Sequence, residues 1–335
     1  MRLATWNVRT MCTGLSEDLE AVSDARKTAV IDRELLRLNI DIAALQETRL
    51  PSNGSLKEAN YTFFWQGLEP TERRLHGVGF AVRNSLLPTM EAPSKETERM
   101  LSLRFLCDSG NVSIICAYAP TLTSTPEAKD AFYDQLDAKI KTIPMDEELY
   151  LLGDFNARVG SDRNSWPNCI GHFGIGKLNE NGQRLLELCS YHHLCVTNTF
   201  FATKPCHRAS WRHPRSKHWH QLDLIITRKR NLNRVLNTRS FHSADCNTDH
   251  SLVASTIRLR PKRIHRSKQK ACPRINTAKV SIPSFRERFA LAMDETLKDC
   301  PADDATTKEN FIHKAVFDTS IETFGKKERK KTRLV

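Results

Sequence analysis

The chain has 335 residues, 39% hydrophobic and 27% charged, so it can bury a sizeable core but is lean in apolar residues for a fully packed globule. Its formal net charge of +12 resides in two runs, 258–270 with seven basic residues and no acid and 326–333 with six basic residues and one acid. The remainder is neutral on balance, and no apolar stretch approaches the length of a membrane span. Each basic run reads either as a solvated tail or as a sequence-independent arm for phosphate groups. Met1 leads directly into LATWNV without a secretory hydrophobic region, and the ten cysteines are scattered with no CxxC pair. A reducing compartment follows as the expectation, nuclear or cytoplasmic, with RLRPKR as a nuclear import signal or a DNA-binding arm.

In chain order, apolar β-type runs fall at 2–8 (RLATWNV), 40–46, 61–66, 77–83 and 101–106. Others follow at 111–118 (NVSIICAY), 148–153, 194–198, 222–227 (LDLIIT) and 251–258. Helical periodicity marks 24–38, where Ala25, Ile31, Leu35 and Leu38 share a face, and returns at 126–142 and 182–192. Many strands and few helices imply a four-layered α/β sandwich, two facing mixed sheets flanked by helices. The expected domain spans 1–259. A basic linker over 260–283 and a helical extension with a basic tail over 284–335 follow. In that extension Ser284 and Glu287 predict a capping box ahead of Phe285, Phe289, Met293 and Leu297, and Thr306 with Glu309 repeat the pattern.

The chemistry-bearing residues stand at strand ends. Asn7 closes the first strand, Glu47 the second run, and Asp154 and Asn156 close YLLGDFN. Asp223 lies within QLDLII, and Asp249 and His250 open the last strand in NTDHSLV. Taken singly, an Asp or Asn after a strand is usually a turn residue. Taken together on two facing sheets, these ends can converge on one rim, where carboxylates repel unless a cation binds between them. An oxygen-only donor set favours a hard ion, Mg²⁺ or Mn²⁺, over zinc.

TWNV, QET, CAYAP, GDFN, a Trp followed by LDLII, and TDH stand in the order of the endonuclease/exonuclease/phosphatase family, which residues 1 to about 259 resemble. Within it the start RLATWNVRTM and the segment SWRHPRSKHWHQLDLIIT look most like the endonuclease domains of non-LTR retrotransposons and the craniofacial development protein 2 group. The resemblance implies Glu47 as the principal metal ligand, with Asn7 beside it and Asp249 near the metal. It implies Asp154 as the carboxylate that orients or deprotonates the attacking water, and Asn156 as the amide that helps hold it. It implies His250 on the scissile phosphate, Asp223 orienting its ring, and Tyr118 as a phosphate contact. One departure is Arg9, at a position where some repair nucleases of the family carry an acid, which implies a weaker metal site and disfavours abasic-site repair.

Between the eighth run and Asp223 lies CHRASWRHPRSKHWHQ, where Lys204, Arg208, Arg212, Arg215 and Lys217 crowd around Trp211 and Trp219. Basic residues interleaved with aromatics suit a phosphate backbone and a stacked base, while a packed Trp among solvated charges is the plainer alternative. Asn7, Arg9, Trp211, Arg212 and Arg215 are the candidate substrate contacts, on a hairpin or loop beside the rim. Cys206 and the histidines of this segment fit no common zinc spacing. GIGKLNENG (174–182) lacks P-loop spacing and reads as a surface loop. The expectation is a Mg²⁺-dependent DNA endonuclease. RNA or phospholipid as substrate, or an inactive nucleic-acid-binding remnant of a retroelement, are the alternatives.

Overall fold

A computed structural model describes residues 1–11, 26–72, 76–262, 275–300 and 305–327. The first half runs β1 (Arg2–Asn7), α1 (Lys27–Arg37), β2 (Ile42–Gln46), β3 (Asn53–Lys57), β4 (Tyr61–Gln66), β5 (Val78–Arg83), β6 (Ser94–Thr97), β7 (Met100–Cys107) and β8 (Gly110–Tyr118). It continues through α2 (Pro126–Thr142), β9 (Glu148–Asp154), α3 (Glu180–Tyr191), β10 (Leu194–Val196), β11 (Trp211–Arg212), β12 (Trp219–His220), β13 (Asp223–Arg228), β14 (Val235–Phe241) and β15 (Leu252–Ile257). Two helices end it, α4 (Pro283–Leu297) and α5 (Ala305–Phe324).

One sheet has seven strands in the order β14-β15-β1-β2-β5-β4-β3, and the other six in the order β10-β13-β9-β8-β7-β6. Both are mixed, because β1–β2 and β8–β9 are parallel and their flanking pairs antiparallel. The apolar runs are continuous because each central strand is buried on both faces. In β2, Ile42 and Ala44 enter the layer between the sheets, whereas Ala43 and Leu45 face α1 with Ile31 and Leu35. In β9, Tyr150 and Leu152 join that central layer, while Leu149 and Leu151 pack with Phe132 and Leu136 of α2 and Leu185 of α3. Four layers result, as the periodicities imply.

Three strands escaped the sequence reading, β3, β6 and β14, and all lie at sheet edges. Edge strands bury less surface, so NGSLK, SKET and VLNTRSF carry no clean apolar signal. Helix α2 matches its expected bounds, and Thr125 caps it by accepting the Ala128 N–H at 3.3 Å.

By contact the chain divides into Met1–Ile264 and His265–Val335. In the second unit the Ser284–Glu287 capping box does not form. Pro283 takes the first helical position, where its missing N–H has no partner to lose, so Ser284 lies inside the helix. Phe289 and Phe324 meet with ring centroids 5.2 Å apart. The side chains of Thr306 and Glu309, and most of both basic runs, lie outside the described residues.

Candidate active site

Pairing registers place the strand-end residues. Asn7 pairs with Gln46 across the parallel β1–β2 ladder, so Glu47 lies one residue beyond the rung. In the opposite sheet Tyr118 pairs with Asp154 and Asp154 with Asp223, a row across β8, β9 and β13. The facing of the sheets joins the rows, as the Asn7 amide donates to Glu47 Oε1 at 3.0 Å and to Asp154 Oδ2 at 3.1 Å. The TDH segment is fastened to β1 in two places. The buried Trp6 indole N–H donates to the His250 carbonyl at 3.1 Å, and the Thr248 hydroxyl donates to the Asn7 carbonyl at 2.8 Å.

Asp154, Asp223 and His250 form one buried group, each offering a donor atom within 4.8 Å of the others. His250 Nδ1 and Asp223 Oδ2 are 2.9 Å apart, and His250 Nε2 lies 4.0 Å from Asp154 Oδ2. Burial opposes charging the ring, yet the charge and hydrogen bond of Asp223, helped by Asp154, raise His250 to about 9. Burial and then the neighbouring Asp223 charge push Asp154 up to about 7, against the pull of His250. Asp154 Oδ1 also accepts the Asn156 N–H at 3.0 Å, and the Asn156 amide donates to the Ala119 carbonyl at 2.9 Å.

The other carboxylates are held by cations. Glu47, in left-handed backbone at φ 53°, accepts from the Tyr118 hydroxyl at 3.0 Å and meets Arg49 Nη2 at 2.7 Å. Burial would raise its pKa, but the hydrogen bonds from Asn7, Arg49 and Tyr118 prevail and lower it. Tyr118 itself is pushed up, by burial and then by the charge of Glu47, and stays a phenol that can donate. Asp249 Oδ2 takes the Trp211 indole N–H at 2.9 Å and lies 3.3 Å from Arg9 Nη1.

A cavity of about 570 Å³ opens over these groups, lined by Arg9, Glu47, Tyr118, Asp154, Asn156, Asp249 and His250. Asp223 lies beneath it, fully buried. The short β11–β12 hairpin forms one wall through Trp211, flanked by His213 and His220 at centroid distances of 5.4 and 5.8 Å. An isolated bridge ties Trp211 to His250. Arg212 and Arg215 do not line the cavity. Arg212 lies over the exposed Trp219 ring at 5.9 Å, and Arg215 N donates to His213 Nδ1 at 3.3 Å. Sequence reasoning missed Arg158, Asn179 and Leu122 on the cavity wall. Their only signal was proximity in sequence to GDFN, GIGKLNENG and CAYAP.

Glu47, Asp249 and Asn7 offer oxygen atoms that could hold a cation, a donor set whose chemistry fits a hard divalent ion. Asp249 Oδ1 is buried without a hydrogen-bond partner, an oxygen left for a cation to satisfy. Asn7 Oδ1 accepts the Arg9 N–H at 3.1 Å, so its amide nitrogen faces the carboxylates, and a half-turn of the amide would present the oxygen instead.

The family model described as the Endonuclease/Exonuclease/phosphatase family matches residues 4–244, and the chain belongs to that family. Among curated relatives, craniofacial development protein 2 of Bos taurus is 31% identical over 260 residues, which are 78% of this chain and 41% of that protein. The chain thus spans about two fifths of that relative's length. The catalytic domain of Xenopus laevis APE2 superposes with a TM-score of 0.56 at 15% identity, covering 79% of this chain and 94% of that one. The endonuclease domain of TRAS1, a telomere-specific non-LTR retrotransposon, gives 0.50 at 14% identity, covering 77% and 98%. At such identities the solved structures show a shared fold.

Proposed function

We propose that the chain is a divalent-metal-dependent phosphodiesterase that nicks DNA in the manner of a retrotransposon endonuclease. The observation that carries this reading is the single rim on which Glu47, Asn7 and Asp154 are joined by hydrogen bonds beside the Asp223–His250 pair. DNA as the substrate is supported by structural relatives named as a retrotransposon endonuclease domain and as a phosphatase bound to a product DNA hairpin, and by the basic, aromatic hairpin whose Trp211 walls the cavity.

A phosphodiester is anionic, and attack by water adds charge to its non-bridging oxygens. Mg²⁺ or Mn²⁺ held by Glu47, Asp249 and Asn7 would neutralise that charge. Asp154, with a pKa near neutrality, takes the proton of the attacking water as its oxygen bonds to phosphorus and the bond to the 3′ oxygen breaks, and solvent water protonates that oxygen to leave a 3′-hydroxyl. Asn156 holds the water beside it. His250 is cationic below about pH 9 and stabilises the phosphorane oxygens, with Asp223 fixing the ring. Tyr118, by turning its hydroxyl from Glu47, hydrogen-bonds to a non-bridging oxygen while remaining a phenol. Arg9 and Trp211 contact the strand from the cavity wall, with Arg212 and Arg215 reaching it from the hairpin. Nicking of supercoiled plasmid with Mg²⁺ tests this: wild type nicks, chelation stops it, and Glu47→Ala and His250→Ala are inactive. A folded wild type that leaves plasmid intact refutes it.

A further inference from the structure

A second cavity, of about 490 Å³, lies beside the first and is unused by the proposed chemistry. The two are lined by residues adjacent in the chain. Arg158 and Asn179 line the catalytic cavity, while their chain neighbours, Val159 after the one and Leu178 before the other, line the second. The two segments are joined, because Arg158 N donates to Asn179 Oδ1 at 2.9 Å and Asn179 N returns to the Arg158 carbonyl at 3.2 Å. Glycines allow this approach. A Cβ on Gly174 would stand 2.1 Å from the Gly160 carbonyl oxygen, and one on Gly182 2.0 Å from that of Arg158. The loop GIGKLNENG is therefore pressed against the segment that follows GDFN.

We propose that this second cavity receives the nucleobase next to the scissile phosphate, a reading that rests on DNA being the substrate. Its walls suit that occupant. The half-buried Trp166 and the exposed Leu178 offer flat apolar surface, Ser161 and Gln183 offer hydrogen-bonding groups, and Lys177 offers a cation for the following phosphate. Asp162 also lines the cavity, but its carboxylate is occupied by the Ser165 hydroxyl at 2.7 Å and by the N–H groups of Asn164 and Ser165. The volume falls within the usual range of ligand pockets.

The test uses duplex oligonucleotides carrying one abasic spacer at successive positions around the cut, with binding read by fluorescence polarisation in chelator. On wild type the spacer at one flanking position weakens binding about tenfold. On Trp166→Ala that spacer has no further effect, and Trp166→Phe restores sensitivity to it. Trp166 packs against the core, so Lys177→Ala provides an arm that leaves the core intact. It weakens binding and lowers the slope of log affinity against log salt by about one. Additive effects of spacer and Trp166→Ala, or an unchanged salt slope in Lys177→Ala, overturn the subsite. Coupling without plasmid nicking refutes the nuclease reading and leaves the cavity as a base-binding site of a DNA-binding protein. Nicking without coupling does the reverse, and no binding of DNA removes both.

Discussion

The two halves of the rim handle charge differently. Asp154, Asp223 and His250 are buried around one imidazole, whereas the side chains of Glu47 and Asp249 are more exposed and each leans on an arginine. In the first half burial shifts protons, lifting Asp154 to about 7 and leaving His250 charged to about 9. In the second, burial of Glu47 is outweighed by hydrogen bonds from Asn7, Arg49 and Tyr118, which keep its pKa below the ordinary value. The difference teaches a division of labour. Buried groups with shifted pKa values suit proton transfer, and more exposed carboxylates suit a cation and a phosphate.

The comparison breaks most visibly at Asp154. Asp154→Asn should lower nicking by about three orders of magnitude. The same variant should melt higher at pH 8 without divalent cation and show little change at pH 4. A raised carboxyl pKa means that the fold loses stability as pH climbs from about 4 towards 7. An unchanged melting temperature at pH 8 would show that Asp154 is not under strain.

Asp223→Asn should move the alkaline limb of the pH–rate profile downwards from about 9, because the carboxylate that sustains the charge on His250 is gone. Wild-type stability tied to His250 is full below about pH 6.5 and lost as pH rises through 9, and Asp223→Asn should flatten that loss. The limb is read from single-turnover rates and the stability from denaturant midpoints.

On the cation-held side, Arg9→Ala should tighten Mn²⁺ binding several-fold in calorimetry, since the guanidinium beside Asp249 competes with the ion. Equal affinities would mean that Arg9 serves only the substrate. The smallest effect belongs to the basic run. Replacing Lys262, Arg263, Arg266, Lys268 and Lys270 with Gln should reduce the salt dependence of DNA binding and leave its site preference unchanged. A sharper or altered cleavage pattern would assign that run a role in choosing sites.

Much of this was legible in sequence, for a physical reason. Strands buried on both faces, such as IAALQ and ELYLLGD, must be apolar throughout, and the polar residue that ends such a run stands out. Strands β3, β6 and β14 were not legible because an edge strand needs little apolar surface. The strand-end residues could be named in advance, but not their partners. Nothing local signals that Trp6 will hold His250 across 244 positions, or that Arg9 and Arg49 will each take a carboxylate. The second cavity arises from glycine contacts between segments that sequence shows only as loops.

Strand β15 is the last strand of the sandwich in sequence, yet it lies between β14 and β1, with His250 two residues before it. A chain emerging from the ribosome can therefore lay down β1 and the Glu47 and Asp154 corners long before the final strand arrives to close the gap. Until then the imidazole is absent from the rim. A product ending before residue 250 would lack both the imidazole and the strand that joins β14 to β1, so one late segment completes the sheet and the site together.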